Sequence, residues 1–103
     1  MTPRVVRELE RRVRRPAPAL FGEEELDGLP EPVRRLLRAA IAPGTPLAPA
    51  ARLRMRGEIR LRRWTAFSGI EVIAPHEGFV WAARAGAIRG YDRYLAGVGE
   101  MRW

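Results

Sequence analysis

The longest regular pattern in the chain is an alternation of apolar or small residues with charged ones between Ala51 and Arg62. The first set consists of Ala51, Leu53, Met55, Gly57, Ile59 and Leu61, and the second of Arg52, Arg54, Arg56, Glu58, Arg60 and Arg62. A period of two residues predicts a β-strand with one buried and one solvated face, which is typical of antiparallel sheets.

Further strand-like segments follow without an intervening helix, at 64–74, 79–85, 88–95 and 100–103. Strands in direct succession predict a β-meander. The last segment begins a new alternation, with Met101 and Trp103 on one side, and stops after four residues. We therefore expect the chain to be a fragment whose sheet is incomplete at its C-terminus.

Two amphipathic segments precede the strands and predict helices. The first runs from Pro3 to Arg15 and ends at Pro16, with a thin apolar stripe and an opposite face rich in arginine; the second ends before Pro43. The apolar positions are Val5, Val6, Leu9 and Val13 in the first, and Val33, Leu36, Leu37, Ala40 and Ile41 in the second. The prediction is thus an α+β fold, with two N-terminal helices followed by an antiparallel meander of about five strands. We divide the chain into a basic helix and linker, residues 1–25, and a partial domain, residues 26–103.

Composition narrows the chemistry that the chain can perform. Its 103 residues suffice for one domain, and 19 basic against 12 acidic residues give a net charge of +7, which favours an anionic partner. The absence of cysteine excludes disulfides and thiolate sites, and a single histidine excludes an all-histidine metal site in one copy. We therefore predict no metal and no cofactor. No apolar run is long enough for a membrane span or a secretion signal, so we expect a cytoplasmic chain that can associate peripherally with a membrane.

Two candidate binding surfaces emerge from the alternating strand and its neighbours. The predicted apolar ligand site is made of Leu53, Met55, Ile59, Leu61, Phe79 and Trp81. The predicted anion site, a ladder of guanidinium groups about 7 Å apart, is made of Arg52, Arg54, Arg56 and Arg60. Either surface has a plain structural alternative, because an apolar face can be the packed core and an arginine row can be the wet side of a sheet. The arginines of the first helix leave the same choice between docking by the apolar stripe and lying on an anionic surface.

Catalysis has little support in the sequence. Asp92 and Glu100 can face each other across a hairpin and act as acid and base, which gives a small hydrolase-like enzyme as the alternative function. We favour salt bridges to neighbouring arginines for both carboxylates and name no catalytic residue. Nucleic acid is the less favoured partner, because the aromatic residues that would stack on bases are predicted to lie in the core. These aromatic residues are Trp64, Phe67, Phe79 and Trp81.

Several sequence blocks occur in the order found in a bacterial family of unknown function common in actinobacteria, and the chain resembles the first half of that family from about Leu26 onward. The blocks are 28–38, 53–58, Trp64 with Phe67, 78–81, 90–94 and 97–101. The resemblance implies a longer protein and a curved antiparallel sheet with helices on one side, similar to the half-barrels of lipoprotein carriers. It implies no catalytic residue. The chain departs from the family in its arginine-rich start, where other members are expected to carry membrane segments.

Taken together, these features predict a non-enzymatic binding module. Its expected partners are an apolar small molecule or lipid on the sheet and an anionic membrane at the arginines. If the chain is complete, a second copy is expected to complete the sheet as a homodimer.

Overall fold

Residues 2–13 and 19–103 are described by a computed structural model. Arg14, Arg15 and Pro16, which the sequence analysis assigned to the end of the first helix, lie outside these residues. The chain forms two compact units, one made of the N-terminal helix with residues 49–103 and the other of the intervening segment up to Ala48. The predicted domain division after residue 25 stays a prediction.

The sheet of the first unit is a five-stranded antiparallel meander, as predicted. Neighbours in sequence are neighbours in the sheet throughout. The strands are β1 (Ala51–Arg60), β2 (Trp64–Ala74), β3 (Gly78–Ala85), β4 (Ile88–Leu95) and β5 (Val98–Arg102). Among the described strands β1 and β5 form the two edges, so the sheet is open, and the predicted α+β class with a half-barrel-like sheet is confirmed.

The first strand is two residues shorter than the alternation predicted. Arg60 pairs with Trp64, and the three residues between them form the β1–β2 turn. In this turn the Leu61 amide donates to the Arg63 carbonyl oxygen at 3.2 Å. Leu61 therefore leaves the apolar side of β1 and lies in the turn, with 49% of its surface exposed.

The helix α1 (Arg4–Arg12) packs on the sheet through its apolar stripe. Val6 and Leu9 are both 0% exposed and contact Val72 and Val80 in one cluster of buried side chains. Ala74, Ala82 and Leu95 complete the cluster. Of the two roles that the sequence left open for this helix, docking by the apolar stripe is the one that the structure shows.

Strand register fixes which residues share a face, because directly paired residues point to the same side of a sheet. Arg52 pairs with Val72, and Val72 pairs with Val80. The arginine ladder of β1 therefore lies on the face that α1 covers, which we call the helix face. The apolar side of β1 lies on the opposite face, which we call the open face.

The aromatic residues do not form the core that the sequence analysis expected. Trp64 is 63% exposed and Phe79 is 37% exposed, while Phe67 and Trp81 are half-buried. The expectation is wrong because Phe67, Phe79 and Trp81 lie on the open face, while Trp64 lies on the helix face outside the buried cluster. The core instead uses small aliphatic side chains, which lie between α1 and the helix face.

The second unit contains a 3-10 helix, Glu23–Leu26, and the helix α2 (Glu31–Ala40), close to the predicted second helix. Phe21 and Leu26 are its buried residues. Two hydrogen bonds close it, from the Phe21 amide to the Thr45 carbonyl oxygen and from the Leu47 amide to the Ala19 carbonyl oxygen, both at 2.8 Å. On its surface Arg38 Nη2 bonds Glu23 Oε2 at 2.8 Å, and this bond holds the pKa of Glu23 below its ordinary value.

Candidate functional site: the open face of the sheet

The structure brings five of the six predicted apolar site residues onto the open face. Leu53, Met55 and Ile59 lie on β1, and Phe79 and Trp81 lie on β3. They share this face because Met55 pairs with Gly69, which in turn pairs with Ala83. Leu61, the sixth, lies in the turn beyond β1.

Other open-face residues were not recognised from the sequence. Phe67, Ile73, Tyr94, Met101 and Trp103 extend the apolar surface across β2, β4 and β5. Ile73 is 40% exposed, Tyr94 48%, Met101 71% and Trp103 52%. The alternation of Met101 and Trp103 was visible in the sequence, but only the register shows that this side of β5 continues the apolar side of β1.

A chain of contacts links the aromatic groups at the middle of the open face. The Trp81 indole Nε1 donates to Met55 Sδ at 3.2 Å. The rings of Trp81 and Trp103 are tilted against each other with centroids 5.3 Å apart. The Trp103 Nε1 donates to Asp92 Oδ1 at 2.7 Å. Both indole N–H groups are thus satisfied within the surface, and their apolar ring faces remain available to a ligand.

Glycines let these large side chains lie flat across the open face. A Cβ atom at Gly57 would lie 2.9 Å from Phe67 Cε1, and one at Gly90 would lie 2.7 Å from Trp103 Cε3. A Cβ at Gly69 would be 3.2 Å from Met55 Cγ. A glycine in the middle of a strand often marks a bulge, but the pairing of β1 with β2 is continuous through Gly57. Its missing side chain instead makes room for the Phe67 ring.

A shallow depression of about 420 Å³ lies where the open face meets the β2–β3 and β4–β5 turns. Its apolar wall is formed by Ile73, Phe79 and Tyr94, which are cross-strand neighbours. His76 and Glu77 of the β2–β3 turn add a polar rim. The depression supplies an apolar surface with a few polar groups at one end, which is the usual composition of a site for a small apolar molecule.

The arginine ladder is divided by the structure. Arg52 Nη1 donates to Glu10 Oε1 at 3.1 Å and its Nη2 donates to Thr2 Oγ1 at 2.7 Å, so this side chain helps to hold α1 on the sheet. Arg54, Arg56 and Arg60 are exposed, and none of them forms a salt bridge among the described residues. The group left for an external anion is therefore smaller than the sequence predicted.

The candidate acid and base lie on opposite faces. Asp92 pairs with Met101 on the open face, whereas Glu100, one residue earlier in the register, pairs with Arg93 on the helix face. Glu100 Oε2 lies 2.7 Å from Arg93 Nε, and its Oε1 lies 2.7 Å from Arg102 Nε. Partial burial alone would raise the pKa of Glu100, but these two arginines hold it below its ordinary value. The prediction that Asp92 and Glu100 face each other is wrong, because Glu100 and the partner of Asp92, Met101, are neighbours in β5 and point to opposite sides. Of the two carboxylates, only Glu100 forms the expected salt bridges with neighbouring arginines.

The part of the chain that the structure describes contains neither a candidate metal site nor a membrane-spanning helix. No cluster of histidine, aspartate and glutamate in residues 2–13 and 19–103 has the number of side chains needed to hold a metal ion. Neither helix in these ranges is long and apolar enough to cross a bilayer.

Comparison with known proteins assigns the chain to a family but gives no activity for it. No curated protein and no solved structure matches the chain. The sequence profile of a family of unknown function, DUF6544, matches residues 19–103, which include the whole sheet and the second unit from residue 19 onward. Because this match covers most of the sequence, the chain belongs to the family of unknown function DUF6544.

Proposed function

We propose that the chain is a non-enzymatic binding module that holds an apolar ligand, such as the acyl chain of a lipid, on the open face of its sheet at an anionic membrane. One observation carries the proposal. The helix α1 covers the aliphatic cluster of the helix face, while large apolar side chains of the open face remain exposed. Leu53 and Ile59 are each 42% exposed although they alternate with charged residues in the manner of buried positions.

Exposed apolar surface is unfavourable in water, and its burial lowers the free energy. Soluble proteins seldom leave a continuous apolar patch of several strands in water, and such patches mark sites for ligands, membranes or partners. The shallow depression at Phe79 and Tyr94 and the tilted Trp81–Trp103 pair give this patch a shape that an extended alkyl chain can contact along its length. Removal of the apolar patch and of the alkyl chain from water would stabilise the complex.

Two further elements of the proposal come from the sequence resemblance and from charge. The likeness to lipoprotein-carrier half-barrels supports a lipid ligand by analogy of fold, and an actinobacterial origin belongs to the same proposal. The net charge of +7 supports binding to anionic headgroups, with Arg54, Arg56 and Arg60 as the exposed members of the ladder.

Titration with a fluorescent sixteen-carbon fatty acid tests the apolar site. The variant Leu53→Ser/Ile59→Ser removes two exposed side chains of the open face that take no part in the core. We expect affinity about 30-fold weaker, since each side chain contributes about 1 kcal/mol when half of its surface is buried by the ligand. The control is Leu36→Ser, which removes a 66% exposed leucine from α2.

Two results would contradict the proposal. The first is equal affinity of the double variant and the wild-type protein for the fatty acid. The second is a mass in solution of twice 11.7 kDa that returns to the monomer value in Leu53→Ser/Ile59→Ser, without fatty-acid binding by either form. That second result would assign the open face to a second copy of the chain.

A further inference from the structure

The end of the sheet formed by the β1–β2 and β3–β4 turns concentrates positive charge. Both turns lie at the same end because successive strands of a meander reverse direction at alternate ends. We call residues 56–64 together with residues 84–89 the hairpin end. Its arginines are Arg56, Arg60, Arg62, Arg63, Arg84 and Arg89. Glu58 is its one carboxylate.

Three of these arginines form a row across the helix face. Arg56 pairs with Ser68, Ser68 pairs with Arg84, and Arg84 pairs with Arg89. Adjacent strands are about 4.8 Å apart, so the Cα atoms of Arg56, Arg84 and Arg89 fall within about 15 Å. Like charges directly opposite each other on two strands are unfavourable, and Arg84 and Arg89 are such a pair. An anion placed between them would remove the repulsion.

The chain uses its carboxylates elsewhere on the same face. Arg52 bonds Glu10, and Arg93 bonds both Glu8 and Glu100. In contrast, among residues 2–13 and 19–103 no salt bridge involves an arginine of the hairpin end. The positive field of the sheet is therefore strongest at the end away from the buried cluster under α1.

Exposed apolar side chains stand among these arginines. Leu61 is 49% exposed in the β1–β2 turn, and Trp64 is 63% exposed on the helix face opposite Arg60. A tryptophan beside aliphatic and cationic groups suits the boundary between lipid headgroups and acyl chains. Single-stranded nucleic acid would engage the indole by stacking but would leave an aliphatic leucine without a matching contact. The combination favours a bilayer.

We infer that the hairpin end is a membrane-docking tip: Leu61 and Trp64 insert at the headgroup boundary of an anionic phospholipid bilayer, and Arg56, Arg84 and Arg89 bind lipid phosphates. The inference rests on the proposed membrane association, and it assigns the contact with the membrane to a different set of arginines. It adds Arg84 and Arg89 of β3 and β4, and it leaves out Arg52, which is bonded to α1. The predicted ladder along one strand becomes a row that crosses β1 to β4, with one arginine each from β1, β3 and β4.

Sedimentation with vesicles of equal parts phosphatidylglycerol and phosphatidylcholine tests the docking tip. Arg84→Gln/Arg89→Gln is expected to weaken binding about 25-fold, since each arginine at an anionic surface strengthens binding about fivefold. The matched control Arg4→Gln/Arg11→Gln makes the same charge change on exposed positions of α1 and is expected to bind within about twofold of the wild-type protein. Leu61→Ser/Trp64→Ser tests insertion at exposed positions where folding is not at stake. Lipids brominated near the headgroup quench tryptophan fluorescence, and the part of the quenching that is lost in Leu61→Ser/Trp64→Ser reports Trp64.

The outcomes separate this inference from the proposed function. Equal weakening by the β3–β4 and α1 variants would reduce the effect to net charge and overturn the docking tip, as would an unquenched Trp64. Vesicle binding that depends on Arg54 but not on Arg84 or Arg89 would overturn the tip while membrane association stands. Loss of binding to an oligonucleotide in the same variants, with no vesicle binding by the wild-type protein, would assign the tip to nucleic acid. Fatty-acid binding by Leu61→Ser/Trp64→Ser at wild-type affinity is expected, because these side chains lie outside the open face.

Discussion

At the scale of single residues, glycines decide how far aromatic side chains can spread over the open face. Gly90 and Gly99 lie on the neighbouring strands β4 and β5, yet their surroundings differ. A Cβ at Gly90 would clash with the Arg102 carbonyl oxygen and lie 2.8 Å from Trp103 Cα, whereas the nearest atom to a Cβ at Gly99 is Tyr94 Cδ2 at 4.0 Å. Only the first of these glycines is required by a close approach.

Gly90→Ala is therefore expected to destabilise the fold by about 1–3 kcal/mol, the range for forcing extra atoms into packed contacts. Gly99→Ala is expected to stay within about 0.5 kcal/mol of the wild-type protein or to stabilise it slightly, because alanine restricts the unfolded chain. Urea unfolding followed by tryptophan fluorescence measures both. Similar values for the two variants would show that the segment 102–103 does not approach Gly90 closely.

Glu100 is a second residue whose environment makes a measurable prediction. Its pKa is lowered in the folded protein by Arg102 and Arg93, against the opposing effect of burial. The ionised carboxylate therefore stabilises the folded state above the ordinary pKa of 4.5, and this contribution is lost as the pH falls through the lowered value.

Glu100→Gln is accordingly expected to be less stable than the wild-type protein at pH 7, with the difference shrinking as the pH is lowered below 4.5. Chemical unfolding at a series of pH values measures this difference. The control Glu58→Gln removes an exposed carboxylate that has no salt bridge among the described residues. A difference for Glu100→Gln that is constant over pH would contradict the assigned ion pairs.

At the scale of elements, α1 supplies the only helical cover that the described part of the first unit has for its sheet. Its apolar stripe contains two fully buried side chains, Val6 and Leu9. On either side of this stripe an ion pair joins the helix to the sheet, one between Glu10 and Arg52 and one between Glu8 and Arg93. The helix is thus fixed by burial at its centre and by charge at its margins. Surface ion pairs contribute little by themselves, so burial dominates.

Leu9→Ala is expected to lower the free energy of unfolding by about 2–4 kcal/mol, since it removes a side chain that is 0% exposed and leaves a cavity against Val72 and Val80. Arg11→Ala, on the exposed side of the same helix, is expected to change it by less than about 0.5 kcal/mol. Thermal unfolding followed by circular dichroism checks both. Equal effects would place α1 away from the sheet.

At the scale of the whole first unit, the two proposed surfaces lie on opposite faces of a single sheet. The apolar ligand site is on the open face, and the docking row of Arg56, Arg84 and Arg89 is on the helix face. Because the sheet separates the apolar ligand site from the docking row, one lipid molecule does not contact both. We therefore expect fatty-acid binding and vesicle binding to be independent.

A combined variant tests this independence. Leu53→Ser/Ile59→Ser with Arg84→Gln/Arg89→Gln is expected to show the fatty-acid affinity of the first pair and the vesicle affinity of the second, each within about twofold, because the sites share no residue. Isothermal titration with fatty acid and vesicle sedimentation measure the two affinities. A fatty-acid affinity that changes with the arginine pair would indicate one continuous site around an edge of the sheet.

The secondary-structure elements could be predicted from the sequence alone, because a period of two residues and the spacing of Gly and Pro depend only on local backbone geometry. The sequence predicted the α+β class, the meander and strand positions to within about two residues. It identified apolar open-face residues of β1 and β3, but missed those of β2, β4 and β5. It left open which face is covered, since the same alternation describes a packed core and a binding surface.

Which face is covered depends on the long-range register of the strands, which is visible in the folded chain alone. The pairing of Arg52 with Val72 places α1 and the small aliphatic core on the arginine side of β1, and leaves the aromatic side exposed. The same register separates Asp92 from Glu100 and aligns Arg56, Arg84 and Arg89, which are far apart in sequence. A shift of one residue in pairing would exchange the two faces, and the pattern within a single strand carries no information about its partner's register.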